Sequence, residues 1–284
     1  MSKDNGKFLK IIDLDGAFDK RMAEYFSKKR NQFTEEEWEN FFAQSYITFS
    51  DTKIESLNAT PNEYYQKMNH ADLLDCVRLH FEKQVPIDGF LRRALEEERN
   101  RPILRALLDG DNQQAAFAVE IAGMDTAFYE EYVELLSRED SHNLHALLVD
   151  VLKEDADSLC DGLLELYNQG ISCEPIADIV SHCLVPREEV FFLLLDEFLK
   201  SNERLEQAVM RLVRYGDERA LPYIKERAAR EETDYLDFRA LRLACEALGG
   251  SLPERDFSTS EEYLRFAQEE ERQREERNKM EEKA

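Results

Sequence analysis

The sequence predicts an all-α protein: an α-solenoid of about five stacked helix pairs behind an N-terminal helical cap. Three observations predict it. Helix-pair patterns begin near Asn100, Met124, Asp155, Arg187 and Asp217, which are 24, 31, 32 and 30 residues apart. Self-similarity at such a period marks like helical units stacked on their neighbours. Glycine and proline are scarce, at 10 and 7 of 284 residues, as long helices require. Finally, Gly110, Gly123, Gly170, Pro186 and Gly216 fall between the patterns. There, glycine can take a left-handed cap and proline cannot continue a helix.

Residues 1–99 read as the cap, 100–250 as the repeat array and 251–284 as a charged helix or tail. In the cap, Thr34 followed by Glu37 is a capping-box signature ahead of Trp38, Phe41 and Phe42. Thr60-Pro61-Asn62-Glu63 repeats the device, with proline at the first helical position. Between them, 45–59 is the least helical stretch and reads as a short extended link. Asn69 then caps a helix with Leu73, Leu74, Val77 and Phe81 on one face, and Val85-Pro86 ends it. Such a cap is needed because the end of a stacked array must hide its apolar face.

In the array, first helices are expected near 101–108, 126–136, 155–167, 187–199 and 218–229. Second helices are expected near 113–122, 142–152, 175–184, 203–215 and 235–248, with Leu243 and Leu248 in the core. Gly123-Met-Asp-Thr-Ala-Phe parallels Gly216-Asp-Glu-Arg-Ala-Leu in small and large positions. The last unit carries Gly216-Asp217, then Ala220-Leu221-Pro222, then Ala240, Ala244 and Ala247 on its second helix. This resembles the HEAT-like (armadillo-type) helical repeat proteins over about 35 residues, the other four units matching in period. The resemblance implies a solenoid whose second helices line a concave binding face, and a scaffold role. Enzymes also occur on such scaffolds, namely HEAT-like DNA glycosylases and bilin lyases. Beyond the array, Tyr263, Leu264, Phe266 and Ala267 can pack a helix start on the repeat end. The Glu- and Arg-rich remainder pairs charges at helical spacing and is expected to fray.

Composition narrows the function. There are 61 acidic against 37 basic residues, a net charge of −24. That balance repels nucleic acid and anionic membranes, since phosphate binding needs lysine and arginine. It weighs against the glycosylase alternative, which requires a basic groove. Five scattered cysteines without a C-x-x-C pair argue for a reducing compartment. Residues 1–10 lack an apolar signal core, and no run of 18 apolar residues occurs, so the expected location is the cytoplasm.

Two motifs imitate chemistry. Lys10-Ile-Ile-Asp13-Leu-Asp15-Gly16 resembles the first motif of haloacid-dehalogenase phosphatases. That resemblance implies Asp13 as nucleophile and Asp15 as acid/base around Mg²⁺. However, Ala17 stands where the family usually has threonine, and no β-rich α/β pattern follows. Asp13 and Asp15 are therefore expected to be turn residues before a helix at 18–26. Asp109-Gly110-Asp111 with Glu120 imitates a calcium loop, but Gln114 replaces the required glycine. A capped helix explains it better. The five histidines show no zinc spacing.

The remaining candidate is a charge distribution. Residues 204–242 hold nine basic and eight acidic side chains, near neutral in an acidic chain. Arg204, Gln207, Arg211 and Arg214 share one helical stripe, and Tyr235, Arg239, Arg242 and Glu246 another. Arg211, Arg214, Arg239 and Arg242 are thus the candidate protein-binding residues, on exposed faces that suit an acidic peptide segment. The competing reading pairs them internally with nearby acids. No catalytic, cofactor or metal residue is assigned. The expected function is a non-catalytic scaffold or adaptor.

Overall fold

A computed structural model describes residues 11–138, 142–171, 173–201 and 204–281. Its elements are helical. They are α1 (Leu14–Lys29), α2 (Glu35–Ser50), α3 (Pro61–Gln66), α4 (His70–Lys83), α5 (Gly89–Leu95), α6 (Arg101–Leu108), α7 (Asn112–Ala122), α8 (Tyr129–Leu135), α9 (His142–Leu152), α10 (Ala156–Asn168), α11 (Cys173–Val180), α12 (Glu188–Lys200), α13 (Leu205–Tyr215), α14 (Leu221–Ala228), α15 (Tyr235–Ala247) and α16 (Glu261–Glu281). Among the described residues there is no β-strand, only an isolated bridge between Ile54 and Ala59. No described helix is long and apolar enough to cross a membrane. The chain divides into two compact units, Met1–Leu148 and Val149–Ala284.

In the first unit, the capping box forms as the sequence predicts. Thr34 accepts from the Glu37 amide, and the Glu37 carboxylate returns a bond to Thr34 N at 2.8 Å. The extended link at 45–59 does not form as expected. Helix α2 continues to Ser50, where Thr48 and Ser50 turn their hydroxyls onto backbone carbonyls within the helix. Phe49 packs on Phe18 and Phe90, which ties that last turn to α1 and α5. β-branched and aromatic residues lower helix propensity only weakly, so tertiary packing decides.

The N-termini of α1 and α5 cap one another. Asp88, the N-cap of α5, accepts from Phe90 N at 3.0 Å and Leu91 N at 2.8 Å. Its second oxygen reaches across to Leu14 N at 3.2 Å and takes the Tyr65 hydroxyl at 2.9 Å. In return, Asp15 of α1 accepts from Gly89 N at 2.6 Å and from the Tyr46 hydroxyl at 2.9 Å. Asp88 is 2% exposed, and burial pushes its carboxyl above the usual range against the pull of these donors.

In the second unit, α10 packs on α11, α11 on α12, α12 on α13, α13 and α14 on α15, and α15 on α16. Irregular connections are clamped by side chains from the adjacent pair. Asp157 accepts from Leu184 N and Val185 N at 3.1 and 3.0 Å. The Tyr215 hydroxyl donates to Arg187 O and accepts from Arg187 N. The Arg255 guanidinium donates to the carbonyls of Arg230 and Glu231 at 2.8 Å each, which supplies acceptor-rich ends with a partner.

Two expectations are corrected here. Leu243 is 52% exposed, not core, whereas Leu248 is buried. The inward face of α15 is Phe238, Leu241, Ala244 and Cys245. In addition, α16 is helical through Glu281 where fraying was expected.

Two substitution sets check this packing by urea denaturation. Asp88→Ala strips four donors of their acceptor at a buried site, and a loss of about 2–4 kcal/mol is expected. Leu241→Ala is expected to cost about 2–5 kcal/mol, while Leu243→Ala stays within about 0.5 kcal/mol. Equal costs at 241 and 243 would contradict the orientation of α15.

Candidate functional site

The four candidate arginines divide into two pairs with different surroundings. On α13, Arg211 is buried, 9% exposed. Its guanidinium lies 3.6 Å from Glu174 and 3.6 Å from Asp178, both on α11. Arg214 donates to Asp178 at 2.6 Å and to the Ser181 hydroxyl at 2.9 Å. Arg204 at the start of α13 pairs with Glu174. The expected exposed stripe on α13 is corrected at Arg211, which is buried against α11, while Arg204, Gln207 and Arg214 are exposed as expected. Arg211 and Arg214 are engaged in a network joining two helices. The physical reason is that two acids one turn apart on α11 offset the cost of taking the Arg211 guanidinium out of water. An open groove of about 400 Å³ lies over this network, lined by Glu174, Glu197, Lys200, Arg204 and Arg211, so its charges are mixed.

The α15 pair differs. Arg239 and Arg242 line a cleft of about 330 Å³ between α15 and the segment leading into α16. Tyr235, Phe238, Phe257 and Tyr263 form its walls. Tyr235 is the hub: its ring meets Phe257, Tyr263 and Phe266 at centroid distances of 5.5, 4.9 and 5.5 Å. The Arg239 guanidinium lies 4.5 Å over the Phe266 ring, a cation–π contact that fixes its direction. Arg242 is half exposed, with Glu246 no nearer than 3.9 Å, so it is the least committed cation of the four. Arg255 also lines the cleft but is held over Phe257 and on the carbonyls of Arg230 and Glu231, just past α14. Glu254 and Asp256 stand at the rim, and Asp256 is occupied by Ser258 N at 2.8 Å.

The sequence pattern reached Arg239 and Arg242, and it set Tyr263 and Phe266 against the repeat end, where both rings meet Tyr235. It missed Arg255 and Phe257. The signal was present: Arg-Asp-Phe follows Leu252-Pro253-Glu254. What period alone does not show is that this turn folds back on α15.

The imitation motifs resolve into caps. Asp13 accepts from Gly16 N at 2.7 Å as the N-cap of α1, and Asp15 serves α5. Asp111 accepts from Gln113 N and Gln114 N as the N-cap of α7, while Glu120 pairs with Arg92. Among the described residues no group of three or more His, Cys, Asp or Glu side chains is arranged to hold a metal. Cys76, Cys160, Cys183 and Cys245 are free and buried. Burial pushes the Cys76 thiol up to about 12. The Cys173 side chain, and that of His142, lie outside the described residues.

No protein family, no curated protein and no solved structure matches this chain. Its function is therefore read from its own geometry.

The two arginine pairs predict opposite responses to charge reversal. Arg211→Glu places a third acid beside Glu174 and Asp178, and a fall in Tm of about 6–20 °C is expected, from a cost of about 3–5 kcal/mol. Arg242→Glu should leave Tm within about 1 °C, because an exposed, loosely held ion pair contributes little. Differential scanning calorimetry reads both.

Proposed function

We propose that this chain is a non-catalytic, cytoplasmic protein-binding scaffold of the HEAT-like, armadillo-type repeat class. The observation that carries the proposal is the reach of its side-chain hydrogen bonds. From Arg92 onward, bonds that tie distant residues together run over about one helix pair. Arg101 reaches Asp125 over 24 residues, Arg138 reaches Leu108 over 30, Tyr167 reaches Glu197 over 30, Arg219 reaches Glu188 over 31 and Tyr235 reaches Glu262 over 27. Neighbour-to-neighbour contact at a near-constant interval is what stacked repeats produce. The N-terminal segment behaves otherwise, with Leu14 and Asp88 joined over 74 residues, as befits a closing cap.

A repeat array offers surface rather than a reaction centre, and the cleft of Arg239 and Arg242 is a part of that surface with a loosely held cation, Arg242. It suits a protein segment bearing a carboxylate beside an apolar or aromatic side chain. The guanidinium of Arg242 would take the acid and the Tyr235–Tyr263 walls the ring. The net charge of −24 argues against nucleic acid and anionic membranes as partners.

Capture from lysate of the source cells, with wild type and Arg239→Glu/Arg242→Glu as baits, tests this. Partners held by wild type at low salt should fall at least about tenfold with the variant and weaken as salt screens the pairing. Identical partner sets for both baits at both salt concentrations would remove the cleft from the binding surface.

A further inference from the structure

Helices α1 and α2 form a hairpin whose two sides differ. One side is closed by α5: Phe90 stacks on Tyr46 at 5.4 Å and meets Phe49 at 6.3 Å, beside the Asp15–Gly89 bond. Elsewhere the hairpin opens into a groove of about 480 Å³. Its floor is apolar and aromatic, made by Phe18, Met22 and Tyr25 of α1 with Phe41 and Phe49 of α2. Tyr25 and Phe41 are stacked across it at 4.7 Å.

The rim is charged on one edge only. Arg21 and Lys28 line it from α1. Both are exposed, and neither forms an ion pair with a described residue. Glu24 lies between them. The α2 edge carries Gln44, Ser45, Thr48 and Thr52, polar but uncharged. The groove is thus locally cationic in a chain of net charge −24.

We propose that this groove docks an acidic amphipathic helix of a partner protein. Arg21 and Lys28 are seven residues apart, about 10 Å along the axis. That spacing matches two acids seven apart on a helix lying alongside α1. A lipid carboxylate would engage one cation and leave the other unused. From Phe18 to Lys28, α1 runs about 15 Å, or three helical turns. Such a helix would seat its apolar stripe on the aromatic floor and complete a three-helix packing, a recurring mode of peptide capture. This site is separate from the α15 cleft and does not depend on it.

Trp38 is the single tryptophan of the chain and reports on the groove. Its ring lies 5.7 Å from Phe41 and 6.2 Å from Tyr25. The probe is an acetylated 14-residue helix with leucine on one face and glutamate flanking it, free of tryptophan and tyrosine. Titrated into the full-length protein, it should change Trp38 emission saturably. Arg21→Glu/Lys28→Glu should weaken it at least about tenfold, and Thr48→Phe, which fills the groove, should abolish it. Far-UV dichroism of both variants should match wild type. Equal affinity for wild type and Arg21→Glu/Lys28→Glu would overturn the proposal, as would the absence of a saturable change. Saturation by dodecanoate but not by the peptide would assign the groove to a lipid instead.

Discussion

Every helix leaves several backbone amides at its start and several carbonyls at its end without a partner inside the helix. A chain of many short helices multiplies that demand, and the rest of this structure follows from how it is met. Asp13, Asp88, Asp111, Asp125, Asp217 and Asp234 each accept from amides in the turn they begin. Part of the acid excess is therefore a set of N-caps, placed where the positive end of the helix dipole favours a carboxylate. At helix ends the same demand is met by arginine from the next pair: Arg138 on Leu108 and Gly110, Arg255 on Arg230 and Glu231. Caps are thus tertiary contacts as well as local ones. The reciprocal pair of Asp88 and Asp15 is the strongest case, since one exchange fixes both helix starts and the angle between them.

Local signals were legible in the sequence because their causes are local. Thr34 and Glu37 lie three apart, and nothing distant is needed for a capping box. Helix positions from Arg101 to Ala247 follow the apolar period closely for the same reason. The phase of a helix is harder. Leu243 lies about 200° around the helix from Leu241, so the two cannot share a face. The set Leu241, Ala244, Cys245 and Leu248 makes the better stripe, and in that respect the sequence held the answer. Arg211 is different. Its burial is set by Glu174 and Asp178, more than 30 residues away, and no window around Arg211 contains them. The α15 cleft is intermediate: its arginines follow from period, but its walls depend on a turn that folds 252–263 back.

Burying Arg211 deserves a physical account, because a desolvated guanidinium costs several kcal/mol unless it is paired. Here it keeps two acids within 3.6 Å, and those acids remain partly exposed, which lowers the cost of desolvating them. Arg204 and Arg214 bracket the same two acids, so three cations of α13 and its start share two carboxylates of α11. Removing one acid would leave the buried Arg211 short of charge, which is why such a pair is costly to break even where it adds little net stability.

Structural charge and available charge differ in their surroundings. An arginine bracketed by acids on a neighbouring helix already has its partner, and an incoming ligand would have to displace it at the cost of the register. Arg211, Arg214 and Arg219 are of this kind. Arg219 holds Asp217 and Glu188 together. A cation available to a partner must instead lie where no neighbouring helix supplies an acid within reach. Arg242 meets that condition at the α15 cleft, and Arg21 and Lys28 meet it along the α1–α2 hairpin. In both places the cations border aromatic side chains, and the nearest acid on their own helix is Glu246 or Glu24. A low-dielectric aromatic wall strengthens attraction to an incoming anion and offers its apolar part somewhere to go. In an otherwise acidic molecule, that combination is the ground for proposing these two places as surfaces for an acidic segment.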